Sequence, residues 1–179
     1  YLSYVSYLYG ESAQELLSAP PTCDFSIVIP VRNAAETLRH TLTTCLAIDY
    51  EGSYEIVLSD NSDADFAAVR ELCEEFADSR IRYYKTPLPL ALDKSFEFAY
   101  LHARGAFILS IGADDGVCPW ALNYLRQALT DHPNEEILSW EKGFYTWPDF
   151  APYERGIIGV PLYDADQPAR YMQYGLACD

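Results

Sequence analysis

FSIVIPVRNAAETLRHTL, Phe25–Leu42, sets the reading of the fold. Its first seven residues are almost wholly apolar and rich in β-branched side chains, which predicts a buried strand. Asn33 follows with Glu36 three residues on, a spacing that resembles a capping box and predicts a helix start. Ala35, Leu38, Leu42, Cys45 and Leu46 then recur at helical spacing.

The same unit repeats along the chain. YEIVLSD, Tyr54–Asp60, predicts a second strand, and Asp63 or Asp65 is placed to cap a helix with Phe66, Val69, Leu72, Cys73 and Phe76 on its apolar face. IRYYK predicts a third strand. A helix over about Asp93–Arg104 is expected to turn Leu92, Phe96, Ala99 and Ala103 inward. AFILSIG predicts a fourth, buried strand, and Pro119 suits the first turn of a helix carrying Ala121, Leu122, Leu125, Ala128 and Leu129. HPN stops it, and EILSW predicts a fifth strand. Ahead of the first strand, residues 1–24 predict a Tyr-rich helical lead-in ending at Pro20-Pro21.

Strands alternating with helices require crossover connections, so the expected class is α/β: a Rossmann-like, mostly parallel sheet with helices on both faces. Such sheets bind ligands outside the carboxyl ends of their strands. Those ends carry Pro30, Val31, Arg32 and Asn33; then Asp60, Asn61 and Ser62; then Lys85 and Thr86; then Asp114 and Asp115. Asp and Asn are ordinary turn residues, but four polar strand ends meeting at one edge predict a site.

Composition narrows the ligand. The 179 residues are 50% hydrophobic and 15% aromatic, as befits one globular domain. Acids outnumber bases 27 to 12, a formal charge of −15. This argues against nucleic acid or an anionic membrane surface as partner. No apolar run is long enough to span a bilayer. Five scattered cysteines without C-x-x-C spacing fit a reducing, cytoplasmic setting, with Cys45 and Cys73 as small core residues. His40, His102 and His132 have no metal-ligand spacing. The chain opens on Tyr, without a signal peptide, and is expected to be a fragment, a processed form or part of something longer.

LSIGADDGVCP, Leu109–Pro119, sharpens the question. An apolar run stops at a glycine and two adjacent carboxylates. Like charges this close repel unless a positive charge sits beside them. A solvated turn would tolerate them; a divalent cation would explain them, and would let an acidic site hold an anionic ligand.

FSIVIPVRNAAETLRHTL, YEIVLSDNSDAD and GAFILSIGADDGVCPWALNYL, in that order and spacing, resemble the family 2 glycosyltransferases of the GT-A fold. The likeness covers roughly Phe25–Trp140, so the chain divides into the lead-in, a nucleotide-sugar-binding domain over 25–140, and the start of an acceptor-side region over 141–179. The resemblance implies transfer of a sugar from a nucleoside-diphosphate sugar, UDP-sugar favoured, to the hydroxyl of a saccharide or other acceptor. It also implies Mn2+ or Mg2+ and an inverting reaction. Pro30, Arg32 and Asn33 would line the nucleotide pocket, Asp60 would contact the base, and Lys94 would reach the phosphates or base. Asp114 would hold the ribose and share the metal with Asp115, the more direct ligand. Trp120 is placed to shield the pocket, or else to sit partly in the core.

The motif departs from the family where Gly112-Ala113 precedes the two aspartates: its first acid is missing. An inverting transferase also needs a base to deprotonate the acceptor. After Asp115 stand Glu141, Asp149, Glu154, Asp164 and Asp166, none in a recognisable base motif. Asp164 and Asp166, the weak candidates, read as a turn and helix cap before QPARYMQYG, so the base is expected outside the chain. Two alternatives stand beside this reading. One is a GT-A-like domain that only binds partners. The other is a sugar-phosphate nucleotidyltransferase, which would need a glycine-rich loop that PVRNAAET lacks.

Overall fold

The computed structural model describes residues 19–135, 137 and 138, and the backbone of two further strands at 160–164 and 167–172. The chain divides into two compact units, Tyr1–Ala128 and Leu129–Asp179. In the first, β1 (Cys23–Val31), α1 (Ala35–Leu46), β2 (Tyr54–Asp60), α2 (Ala68–Phe76), β3 (Ile81–Lys85), α3 (Leu92–His102) and β4 (Gly105–Ser110) follow one another, and α4 (Ala121–Asp131) begins. All four strands are parallel, in the order β3-β2-β1-β4. The α/β class is therefore as the alternation predicts, with β1 between β2 and β4.

Why β1 and β2 read as continuous apolar runs is now physical. They are central strands, and every residue from Phe25 to Val31 and from Tyr54 to Asp60 is buried. Both faces are covered, as crossover helices require. Strand alternation puts Ile27 and Ile29 of β1 with Ile56 and Leu58 of β2 on one face, where α1 buries Leu38, Leu42 and Cys45 and α2 buries Val69 and Leu72. On the other face Val28 and Val57 pack with Ala99 of α3, joined by Tyr84 and Ala103. A fully buried side chain of this size contributes roughly 1.5–3 kcal/mol.

That second face also holds a buried ionic network near the amino ends of the strands. Glu55 Oε1 accepts from Ser26 Oγ (2.6 Å) and from the Arg104 amide (2.6 Å), while Arg82 Nη1 donates to Oε2 (2.6 Å) and to the His102 carbonyl (2.8 Å). Ser26 Oγ in turn accepts the Gly105 amide at 2.8 Å. One carboxylate thus joins β1, β2, β3 and the start of β4. A side chain at residue 105 would collide with the backbone of Phe25 and Ser26, so the strand must begin on glycine. His102 stacks on Tyr84 and Phe98, and burial lowers the proton affinity of its imidazole.

Several local expectations are corrected. Residues 1–18 of the lead-in lie outside the described residues, and 19–22 are not helical. The cap of α1 is Ala34, without a side-chain hydrogen bond, and that of α2 is Ala67, likewise. Neither Asn33 nor Asp63 or Asp65 caps a helix, because Asn33 and Asp63 bond each other instead. On α3 the buried residues are Ser95, Phe98, Ala99 and Leu101, while Leu92 is 71% exposed. Ala99 and Ala103 face the sheet as expected, Ser95 joins them through its bond to Ser59 (3.2 Å), and Phe96 is half-buried. β4 is not a buried strand among the described residues: Leu109 is buried, but Phe107 and Ile108 are exposed. Of the expected fifth strand only Ile137 and Leu138 are described, and neither is in a strand.

In the second unit, β5 (Val160–Asp164) and β6 (Gln167–Met172) form an antiparallel pair with Asp164 opposite Gln167. QPARYM is therefore a strand, and the expected helix after Asp164 and Asp166 does not form. Asp166 itself, with Glu141, Asp149 and Glu154, lies outside the described residues.

Removing one partner of a buried ion pair leaves the other charge uncompensated, at about 3–5 kcal/mol. Arg82→Met should therefore destabilise the domain by about that amount, and Arg82→Met with Glu55→Gln by clearly less. Urea unfolding of both proteins measures this; equal losses would show that the pair is not coupled.

Candidate functional site

The carboxyl edge of the sheet is shaped by an early departure of β4. Its last pairing with β1 is Val28 to Ser110, followed by the Ile111 amide donating to the Val28 carbonyl (3.1 Å). β1 runs on beside β2 to Val31, where the Asn61 amide donates to the Val31 carbonyl (2.8 Å). Pro30 shares the β4-facing side with Val28, so its missing N–H falls where the ladder has already ended. A proline inside a central strand is thus tolerated, and the gap beside it is the point where strand order reverses. Open α/β sheets bind ligands at such points.

On the β2 side the polar strand ends form one bonded network. Asp60 is 1% exposed. Its Oδ1 accepts the Ser62 amide (2.9 Å), and its Oδ2 accepts the Tyr83 hydroxyl (2.6 Å) and Lys85 Nζ (3.2 Å). Burial acts to raise its proton affinity, but the bonds from Ser62, Tyr83 and Lys85 outweigh it and hold the carboxyl below the usual carboxylate value. A folded-state pKa below the unfolded one adds stability at neutral pH, lost as pH falls below about 4 through the folded value. Asn61 fixes the next loop: its Nδ2 donates to the Leu90 carbonyl (2.8 Å), and its Oδ1 accepts the Leu90 amide (2.8 Å) and Thr86 Oγ1 (3.2 Å).

Ser62 carries the network to β1. Its Oγ accepts the Asn33 amide (2.8 Å). Asn33 Nδ2 donates to Asp63 Oδ2 (2.7 Å), the Asp63 amide returns a bond to Asn33 Oδ1 (3.0 Å), and Arg32 reaches Asp63 Oδ1 (3.2 Å). Asn33 Nδ2 and Arg32 hold the Asp63 carboxyl below its usual value. Asn33 adopts φ 50°, a left-handed conformation that asparagine tolerates better than most residues. Arg32 and Asn33, both expected at a nucleotide pocket, therefore form a latch between the first two loops.

The two adjacent aspartates fold back over the turn that leaves β4. Asp115 Oδ2 accepts the Gly112 amide (2.7 Å), and the Asp115 amide donates to the Gly112 carbonyl (3.3 Å). A Cβ at residue 112 would stand 2.7 Å from Asp114 Oδ1 and 3.2 Å from Asp115 Oδ2. Both carboxylates thus converge on the space that glycine leaves open. Hard carboxylate oxygens suit Mg2+ or Mn2+, and Mg2+ commonly takes only one or two protein carboxylates plus substrate phosphates. Among the described residues no third Asp, Glu, His or Cys joins them as a metal cluster. The donor set fits a cation that also binds a phosphate.

Other sequence candidates stand apart. Lys94 Nζ, on the first turn of α3, donates to both oxygens of Glu97 (2.9 Å each). Trp120 lies next to Pro119, whose carbonyl accepts the Asp49 amide (2.8 Å) in the loop after α1, toward the amino end of the sheet. It meets Tyr124 edge-on and is 49% exposed. Burial pushes the thiols of Cys45 and Cys73 up to about 12, so neither is a nucleophile. Lys85 is one of the polar strand ends read from the sequence, and it stands opposite Asp60 in parallel register. Tyr83 is not marked by the sequence reading; only the register between β2 and β3 brings Ile81, Tyr83 and Lys85 onto the face of Asp60.

A model of glycosyl transferase family 2 matches residues 26–169. Among solved structures, the chain is similar to residues 1–349 of TarS from S. aureus, with TM-score 0.55 and 16% identity over 68% of this chain and 41% of that one. The complex of that protein with UDP-GlcNAc gives 0.55 and 16% over 67% and 39%. The mannosyltransferase PcManGT from Pyrobaculum calidifontis, in complex with GDP-Man and Mn2+, gives 0.53 and 19% over 73% and 43%. At these identities the likeness is one of fold, the GT-A arrangement. The chain spans about two-fifths of the length of these structures.

The latch yields a test on stability. Asn33→Gly keeps the left-handed backbone and loses the side-chain bonds, which should cost about 1 kcal/mol. Asn33→Ala also forces a β-carbon into that conformation and should cost about 1 kcal/mol more. Urea titrations of the three proteins separate the terms; equal losses would show that the backbone conformation is unconstrained.

Proposed function

The chain belongs to glycosyl transferase family 2, and on that premise we propose that it carries the donor side of a metal-dependent transferase that moves a sugar from a nucleoside-diphosphate sugar to an acceptor hydroxyl. The observation that carries this reading is the convergence of Asp114 and Asp115 over Gly112, on the sheet edge that also bears Asp60. UDP-sugar is the favoured donor. Uracil N3–H and guanine N1–H are donors where adenine N1 and cytosine N3 are acceptors, so a carboxylate at Asp60 selects the first two. The resemblance puts uridine ahead of guanosine.

In this reading Pro30 walls the base pocket, and Arg32 and Asn33 set the loop beside it. Asp114 accepts from the ribose hydroxyls and shares the cation with Asp115. When bound, Mg2+ or Mn2+ neutralises the charge that grows on the departing diphosphate. Lys94 is proposed for the phosphates only if it leaves Glu97. Attack by the acceptor opposite the leaving group makes the reaction inverting, and its base is assigned to no described residue.

Nucleotide and metal should strengthen each other, by about 1–3 kcal/mol of coupling. UDP affinity, measured by calorimetry with saturating Mn2+ and with chelator, should differ accordingly. Asp115→Asn should remove most of that difference, and Asp114→Asn should weaken UDP with less effect on the metal. Equal UDP affinity in both conditions would defeat the metal site. ATP binding as tightly as UDP would defeat Asp60 as base reader.

A further inference from the structure

The Asp60 carboxylate poses a problem for the role proposed above. It is buried, and its own chain already supplies donors to both oxygens. A nucleobase N–H can reach it only if one of them gives way, and the carboxylate must stay ionised while that happens.

The donors differ in kind. Tyr83 comes from the middle of β3, opposite Leu58 in the ladder, and its hydroxyl bond is short at 2.6 Å. The Ser62 amide is fixed by the turn that follows Asp60. Lys85 is the loose member. Its bond to Asp60 is 3.2 Å, its side chain is 38% exposed, and its Nζ has a second acceptor in the Ser62 carbonyl at 2.7 Å. Releasing Asp60 would not strand the ammonium.

We propose that Tyr83 and Lys85 are positioning residues for donor recognition: Tyr83 holds the Asp60 carboxylate ionised and oriented, and Lys85 is the donor that an incoming nucleobase N–H displaces. The proposal rests on the reading of Asp60 as the base contact.

The surrounding ionisable groups leave Asp60 as the one that titrates. Cys73 of α2 is electrostatically coupled to both Asp60 and Tyr83, but its thiol, pushed up to about 12, stays neutral. Arg70 of α2 acts electrostatically on Tyr83 from the same side. Asp63, which feels Lys85 and Arg32, is held below its usual value and stays ionised. Burial is the largest single influence on Asp60 and opposes ionisation. Loss of the tyrosine hydroxyl therefore moves its pKa upward, into the range where binding can be followed.

The test measures UDP and N3-methyl-UDP affinity from pH 4 to 8, with the whole chain and saturating Mn2+. It compares the unmutated protein with Tyr83→Phe, Lys85→Met, Lys85→Arg and Asp60→Asn. The diphosphate's own titration is common to all and cancels in the comparison. The unmutated protein should prefer UDP over its N3-methyl form about tenfold or more, as loss of a charged hydrogen bond implies. Tyr83→Phe should lose about twofold or more in UDP affinity at pH 4 relative to pH 8, the effect of an Asp60 carboxyl returned to the ordinary carboxylate range, and Asp60→Asn should remove the N3-methyl preference. Lys85→Met should alter UDP affinity more than N3-methyl-UDP affinity, and Lys85→Arg, whose guanidinium gives way less readily, should lower the preference for UDP. If the unmutated protein does not discriminate the N3-methyl form, the base-contact reading of Asp60 fails. If it does, but Tyr83→Phe only lowers the melting temperature and leaves pH profile and ratio unchanged, Tyr83 is structural and this proposal is overturned.

Discussion

The carboxyl edge of the sheet depends on one buried anion. Asp60 ends β2 with almost no exposure, in a place where an unpartnered carboxylate would protonate. Tyr83 and Lys85 on one side and Ser62 on the other keep it charged. The same Ser62 that serves Asp60 through its amide receives the Asn33 amide through its hydroxyl. From there the bonds run to Asp63 and Arg32. The loops after β1, β2 and β3 are therefore not three independent turns. They share one electrostatic anchor, so the edge they form is held in place by the chain's own bonds.

Glu55 repeats the device near the other end of the sheet with a different outcome. It too is a buried carboxylate fed by neutral donors and one cation, here Ser26, the Arg104 amide and Arg82. Its cation is well covered, with Arg82 19% exposed against 38% for Lys85. A guanidinium is also less easily displaced from a carboxylate than an ammonium. One pair is built to stay closed and binds the strand starts together. The other sits where a ligand can compete for it. The contrast comes from the cation and its exposure, since both carboxylates are buried.

What could be read from the sequence follows from what each signal measures. Central strands announce themselves because both faces are buried, so FSIVIPV and YEIVLSD give unbroken apolar runs and the parallel order followed from helix alternation. AFILSIG gave the same signal, yet β4 leaves Phe107 and Ile108 exposed among the described residues: an apolar run reports the need for cover and not its presence. Asn33 and Glu36 matched a capping pattern, but a long-range partner, Asp63, competed for the asparagine and won. QPARYM carries no strong period, and strand pairing with VPLYD decided its state. The site was legible as strand ends that collect polar residues. Tyr83 was not, because its role depends on the register between β2 and β3, which a single strand does not encode.

Charge accounting at this edge bears on what the acidic turn is for. Among the described residues Arg32 is paired with Asp63, Lys85 with Asp60 and Lys94 with Glu97, so each of these cations already faces a carboxylate. Asp114 and Asp115 then add negative charge on a chain with a formal charge of −15. Two unit charges 4 Å apart repel by about 4 kcal/mol at an effective dielectric near 20, and a diphosphate brings more than one. Surface salt bridges could be broken to release an arginine or lysine, but each release strands a carboxylate at the same edge and gains nothing in net charge. A diphosphate reaching this edge would therefore gain from positive charge that enters with it. That is the electrostatic argument behind the cation proposed for Asp114 and Asp115: the two carboxylates over Gly112 would hold it, and it would offset the charge of the phosphates.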